Sequence, residues 1–399
     1  MANYKIPITK EIKSVHIRSY GKLKITGSET NEIISSSSDL ETLTVVPSDD
    51  VVFVTAMNSC DLEVPMDLPV FVEKAMGTVC CTGLKSEFRS EKVVGSLIVD
   101  GACSVDVQKV GGNCAVRNID EMVNVEKTGG NLVAESIASL RAAKTGGSCL
   151  LKDVKGEVQI SKVGGNFSGQ NIGGSLDVSK VGGDYTCDQS AYGLALKVGG
   201  DIQTKLIGEL AASDLKAGGD IDIYLEPDTS NLKLSLGAGG DISVHIGDLD
   251  VQLENQDYEV DLGDGEIPFS AKAGGDTTIT DEEWQAPAIV GDLSAYFEES
   301  GPGLNEVIHE HVRRATQLAE KRIETAQKRL EQIQAKMDID FGDLGIPSIS
   351  IPGMPGMPKA SPKAQKGATD EERLLILQML QDKKITVDEA ETLFSTLEK

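Results

Sequence analysis

The sequence predicts a mainly-β protein. It reads as a parallel β-solenoid with about 18 residues per rung, followed by a long amphipathic helix and a small C-terminal helical hairpin. Three observations carry this. First, a block of Lys, a small or β-branched residue, Gly, Gly and Asn, Asp or Ser starts at Lys109, Lys127, Lys144, Lys162, Lys180, Lys197, Lys216 and Lys272, with degenerate copies at Lys74 and Lys92 and a copy at Gly237 that lacks the lysine. From Lys74 to Lys216 the steps are 18, 17, 18, 17, 18, 18, 17 and 19 residues, and a fixed period in this range means one unit stacked repeatedly. Second, aromatic residues make up only 4% of the chain while hydrophobic residues make up 40%, which suits a narrow interior filled by Val, Ile, Leu, Ala and Cys. Third, the 42 glycines concentrate in the blocks and so read as turn chemistry rather than disorder.

Within a block the side chains alternate. With Lys109 outward, Val110, Gly112, Cys114 and Val116 point inward and Gly111, Asn113 and Ala115 outward. A weaker glycine signal falls midway between blocks, at Gly156 and at Gly173-Gly174, so each rung reads as two short strands and two corners. Residues 71–300 form the repeat domain, about eleven rungs, loosening at the end where the steps lengthen to 21 and 35. The long step implies an insertion around 248–268 with a Gly263-Asp264-Gly265 turn. Residues 1–70 are strand-like but weakly periodic and read as an N-terminal β region, the atypical first rungs that cap a solenoid.

The remainder is helical or extended. Ala319, Ile323, Ala326, Leu330, Ile333 and Met337 form a coiled-coil-like seam on a helix over 304–337, beside a basic stripe that includes Arg314, Lys321 and Lys328. Residues 338–368 are a Pro/Gly/Met linker. Residues 369–399 read as a helical hairpin with capping boxes at Thr369/Glu372 and Thr386/Glu389 and an apolar set including Leu377, Leu380 and Leu393. About 30 residues is too few to fold strongly alone, so the hairpin is expected to pack on something.

Charge and motifs narrow the function. The net charge of −25 argues against nucleic-acid binding. No apolar stretch approaches the roughly 18 residues of a membrane helix, and the first ten residues do not read as a signal peptide. The seven cysteines read as buried thiols: Cys114 and Cys149 fall in one column two rungs apart, roughly 9.6 Å at about 4.8 Å per rung, too far for a disulfide. A cytoplasmic location is the expectation. No phosphate-cradling loop or nucleophile elbow is present, and a strand rather than a helix follows each Gly-Gly pair, unlike a dinucleotide loop. His309 and His311 face different directions on their helix, and His16 and His245 stand apart, so surface or capping roles are expected for all four.

Two columns are candidate surfaces. Asp184, Asp201, Asp220 and Asp241 would stack where calcium could bridge them, but local turn hydrogen bonds account better for Asn, Asp and Ser at one position. No cofactor or metal is expected. Lys109, Lys127, Lys144, Lys162, Lys180, Lys197 and Lys216 would stack outward, solvated or paired with the Asp column in the later rungs, with ligand binding the alternative.

The Lys-Val-Gly-Gly-Asp corners resemble those of bacterial adhesin-like β-strand-repeat proteins, a family largely without assigned function. The tail sequence Ile376-Leu377-Gln378-Met379-Leu380-Gln381-Asp382-Lys383-Lys384-Ile385-Thr386-Val387-Asp388-Glu389-Ala390 resembles the SHOCT-like helical module that accompanies such repeats in YvlB/LiaX-like proteins, some of which act in envelope-stress responses. A looser likeness is to the bactofilins, polymer-forming scaffolds with a β-solenoid core. The resulting expectation is a non-enzymatic scaffold or protein-interaction protein, with protein partners or self-association through 304–337 and 369–399. An envelope-stress regulator that binds cationic peptides or membrane-associated partners is the alternative, and a carbohydrate-active enzyme a weaker one. No nucleic-acid partner is expected, and a membrane surface only as a lesser option.

Overall fold

The computed structural model describes residues 2–7, 12–37, 42–190, 195–207, 211–227, 229, 231–254, 256–282 and 293–297. The chain divides into two compact units, Met1–Ile339 and Asp340–Lys399, and all the described residues belong to the first. The expected helix over 304–337, the linker and the hairpin lie outside the described residues.

The described part of the first unit is a stack of parallel rungs, each made of two strands joined at a corner that is Gly-Gly in most of them. One strand of each rung carries the lysine position, and in this first sheet Lys74 is in register with Lys92, Lys92 with Lys109, Lys109 with Lys127, Lys127 with Lys144 and Lys144 with Lys162. The other strand follows the corner and stacks in a second sheet, where Leu97, Cys114, Leu132, Cys149 and Phe167 form one inward column. Inward residues of both sheets meet in one continuous core of Val, Ile, Leu, Ala and Cys. The few large rings in it include Phe167 stacked on Tyr185, with ring centres 4.9 Å apart. The thiols of Cys114 and Cys149 are buried in one column with Leu132 between them, as the spacing predicts.

The stack is larger than the repeat block shows, with thirteen parallel rungs among the described residues rather than about eleven. Both additional rungs come from residues 1–70. They were hard to see because each carries one corner glycine or none: Gly21 after Ser19, and Met57-Asn58 after Ala56.

Stacking does not follow chain order at either end. Strand Ser14–Ser19 lies between Val51–Ala56 and Val70–Ala75, so the first rung in the chain is second in space. At the other end Ile267–Ala273 lies between Ser213–Ala217 and Leu232–Ala238. The long step from 237 to 272 is therefore not a loose insertion in the array. The chain skips a rung, builds the terminal one, and returns to fill the gap.

The excursions between these steps close the ends. Leu43–Ser48 and Glu32–Ser37 pair antiparallel with the outermost N-terminal rung, and Ala2–Pro7 adds to Glu32–Ser37. Leu249–Glu254 and Asp257–Leu262 pair antiparallel with the outermost C-terminal rung. An open solenoid end would expose a full row of unpaired backbone groups. The C-terminal cap covers that row and places exposed Asp250, Glu254, Asp257, Glu259 and Asp261 on its own strands. Such charges oppose end-to-end strand addition at this end.

Candidate interaction surfaces

Each corner is built by close approach of rungs. A Cβ at Gly129 would overlap the carbonyl oxygen of Gly111 in the rung before it, and Gly146, Gly164, Gly182 and Gly199 repeat the relation. The first glycine of each pair is exposed, so the corners form a strip of bare backbone along the stack.

Beside this strip runs a side-chain ladder. Asn113 Oδ1 accepts the backbone N–H of Asn131 at 2.7 Å, and Asn131 Oδ1 that of Ser148 at 2.7 Å. Ser148 Oγ accepts from Asn166 N, Asn166 Oδ1 from Asp184 N, and Asp184 Oδ1 from Asp201 N. Asp201 serves Asp220, Asp220 serves Asp276, and Asp276 serves Asp241. The expected local turn bonds are thus bonds between rungs, because the corner turns each side chain toward the next rung. The Asp column exists, with Asp276 inserted between Asp220 and Asp241. Among the described residues no cluster of three or more His, Cys, Asp or Glu side chains is placed to hold a metal ion.

All the predicted lysines from Lys109 to Lys216 are exposed, as are Lys74, Lys92 and Lys272. Their register continues through Lys180, Lys197, Lys216 and Lys272. The expected pairing with the Asp column does not occur. Lys216 bonds Asp214 of its own strand at 2.6 Å, and Lys74 lies over the Tyr20 ring at 5.7 Å. Lys92, Lys109, Lys127, Lys144, Lys162, Lys180 and Lys197 form no ion pair with any described residue. The corner intervenes between the two columns, and Asp184, Asp201, Asp220 and Asp276 each turn one carboxylate oxygen to the backbone N–H of the next rung rather than toward the lysines.

A second surface was missed in the sequence. Cys80, Ile98, Ala115, Val133 and Leu150 are in register on the outer side of the second sheet. They are nonetheless buried, Ala115 to 1% and Leu150 to 7% exposure, beneath Leu293 and Tyr296, with Phe297 packed alongside. Residues Ser294–Tyr296 form a single 3-10 turn. Arg117 clamps the edge: its guanidinium lies 4.5 Å from the Phe297 ring centre and donates to Asp100 Oδ2 at 2.7 Å. Burial pushes the Asp100 carboxyl up, but the hydrogen bonds from Arg117 and Asn118 and the Arg117 charge outweigh it and hold the group below the usual range. The signal was present as runs such as Leu97-Ile98-Val99 and Leu132-Val133-Ala134, which are apolar on both faces rather than alternating.

His16 and His245 are less isolated than expected. His16 Nδ1 lies 3.6 Å from Glu73, which also pairs with Arg18, and its ring meets Phe53 and Phe71 edge-on. It lines a shallow hollow with Ser14, Pro69, Val70, Glu87 and Arg89. His245 Nδ1 lies 2.9 Å from Asp250 of the cap. The predicted seam residues Ala319, Ile323, Ala326, Leu330 and Ile333, the tail residues Leu377, Leu380 and Leu393, and His309 and His311 lie outside the described residues.

No curated protein matches the chain. Three chains of solved structures match, among them two at low identity. One, titled a "putative cell adhesion protein" from Clostridium sporogenes ATCC 15579, is 12% identical over 70% of this chain and 98% of its own, with a TM-score of 0.15. The other, titled a "putative adhesin" from Bacteroides fragilis NCTC 9343, is 13% identical over 70% of this chain and 96% of its own, with a TM-score of 0.23. The family match falls at the C-terminal end, where the tail motif pointed: residues 371–399 match the model of the SHOCT-like domain.

Proposed function

We propose that this chain is a non-enzymatic interaction protein, a scaffold that presents the lateral faces of a capped β-solenoid while its C-terminal segments dock partners or other copies. The capping carries the reading. Antiparallel strands close both ends of the stack, so its repetitive surface lies on the sides. A column of like residues there offers the same group at every rung, which suits recognition of an extended partner better than chemistry on one small substrate. The seam over 304–337 and the SHOCT-like segment supply the docking elements in this reading. Size-exclusion chromatography with light scattering tests the self-association part. The full chain is expected to be oligomeric and a deletion of 304–337 smaller in assembly state. A full chain that is strictly monomeric, unchanged by the deletion, overturns it.

A second reading has its own observation. The carboxylates of Asp184, Asp201, Asp220, Asp276 and Asp241 form one column at the C-terminal part of the stack, a surface to which a cationic peptide would be drawn, as for an envelope-stress regulator. Salt-sensitive binding of a cationic peptide to the full chain, lost when Asp184, Asp220 and Asp276 are changed to Asn, would support it. No binding at low ionic strength removes it.

A further inference from the structure

Most of the lysine column has no ionic partner among the described residues. Like charges repeated at about 4.8 Å repel one another, and seven of them have no ion pair with a described residue. Their immediate surroundings lose acid along the stack. The exposed or half-buried residue before each lysine is Glu73, Glu91, Gln108 and Glu126 in the early rungs, then Ala143, Ser161 and Ser179. On the other side lie the exposed corner glycines and, beyond them, neutral Asn131, Ser148 and Asn166. From Lys127 to Lys180 the ammonium groups form one row beside the exposed backbone strip; Glu126 precedes Lys127 and Asp184 follows the Lys180 corner, so Lys144 and Lys162 are the members with neutral residues at both positions. The net charge of −25 does not cancel this row, because in physiological salt a charge is felt over only about 8 Å.

We infer that this strip binds a linear inorganic polyphosphate chain, laid along the glycine corners with one or more phosphates at each lysine. This rests on the reading of the stack sides as interaction surfaces. The partner follows from the geometry. Every rung offers one cation, so the ligand must present anionic charge at least as densely as the rungs repeat. Polyphosphate does, because a single bridging oxygen separates its charged groups. A single-stranded nucleic acid spaces its phosphates by a sugar and adds bases, for which the strip offers no aromatic platform. A folded acidic protein without a stacked repeat presents scattered carboxylates rather than a row, and in the Asp column of this stack Asp184, Asp201, Asp220 and Asp276 each turn an oxygen to the backbone N–H of the next rung. Lysine supplies compact, strongly hydrated point charges suited to phosphate oxygens without demanding one fixed geometry.

The test is binding of fluorescently labelled polyphosphate to the full chain across a salt series. Affinity is expected to fall steeply with salt, since each neutralised phosphate releases a counterion. Changing Lys127, Lys144, Lys162 and Lys180 together to Gln is expected to weaken binding at least about tenfold and flatten the salt slope. The same four changed to Arg should retain it. Changing Lys13, Lys85, Lys155 and Lys233 to Gln, off the column, should leave affinity and slope unchanged. Circular dichroism of each variant checks that the stack is intact. Absence of binding at low salt, equal loss in both Gln sets, or equal affinity for polyglutamate or a single-stranded oligonucleotide overturns the inference. None of these outcomes alters the oligomeric state measured by light scattering, so failure here is distinguishable from failure of the scaffold reading.

Discussion

Asp220 Oδ1 accepts the backbone N–H of Asp276 at 2.9 Å, although the chain builds a whole further rung between them. Asp276 Oδ1 in turn accepts the N–H of Asp241, in the rung built earlier. The rung that is last in the chain is thus second to last in space and bonds its neighbours on both sides. Asp276→Ala should leave the Asp241 N–H without its acceptor and cost about 1 kcal/mol, whereas Asp276→Asn keeps the acceptor and should stay close to the native value. Urea unfolding of the two variants checks this. Equal stability for Ala and Asn would show that the ladder bond contributes nothing there.

The core contains a correctable flaw. Val110, Thr128, Thr145 and Val163 occupy one inward column, and the buried hydroxyls of Thr128 and Thr145 have no hydrogen-bond partner. Valine has the same shape without the stranded polar atom. Thr128→Val and Thr145→Val are each expected to stabilise the protein, by about 1 kcal/mol, read as a higher urea midpoint at unchanged slope.

Glycine has different meanings at different positions. At Gly129 an added methyl has no room, because the Gly111 carbonyl occupies its place. At Gly247, in the turn into the C-terminal cap, φ is +53° and nothing lies within 4 Å of a Cβ. Gly129→Ala should force neighbouring rungs apart and cost several times as much as Gly247→Ala, which should cost about 1 kcal/mol through backbone conformation alone. Thermal unfolding of both variants reports the contrast.

These contrasts also explain what could be read from the sequence. The period, the outward lysines and the inward cysteines were legible because Gly-Gly punctuates the corners and side chains alternate by two. The order of the end rungs was not, because Lys272 pairs with Lys216 by returning across the stack, and no local signal distinguishes a delayed rung from an insertion. The partner of the Asn and Asp side chains was misjudged for a related reason: Asn113 and Asn131 are 18 residues apart, and local turn chemistry predicts only nearby acceptors and donors. The lid over Ile98 and Val133 left a trace in two-sided apolar runs, but the five residues from Leu293 to Phe297 that cover them lack any period of their own.

The Arg117–Asp100 pair makes stability depend on pH in a defined direction. The Asp100 carboxyl titrates below its ordinary value in the folded protein. Its contribution is therefore complete above the ordinary carboxylate pKa of about 4 and disappears as pH falls through the lower folded value. Asp100→Asn should be less stable than the parent at neutral pH, and the difference should shrink as pH drops below about 4. A difference that stays constant with pH would place the effect in packing rather than charge. Because the pair is part-exposed, added salt should also reduce it.

The docked turn can be followed through its thiol. Cys80 is buried beneath the segment containing Leu293 and Tyr296, while Cys81, its chain neighbour, points into the main core. Cys103 is the partly exposed cysteine. Burial pushes the thiols of Cys60 and Cys114 up to about 11 and about 12, so they are protonated as well as covered at neutral pH. In the native protein a thiol reagent should therefore label Cys103 first. Leu293→Ala with Tyr296→Ala should release the turn and add Cys80 to the reactive set, while Cys60, Cys81, Cys114, Cys149 and Cys187 stay protected until the stack unfolds. Peptide mapping after timed labelling distinguishes the sites. Unchanged protection of Cys80 in the double variant would mean that the stripe is covered without these two side chains, and early labelling of Cys81 would mean that the turn holds the second sheet itself together.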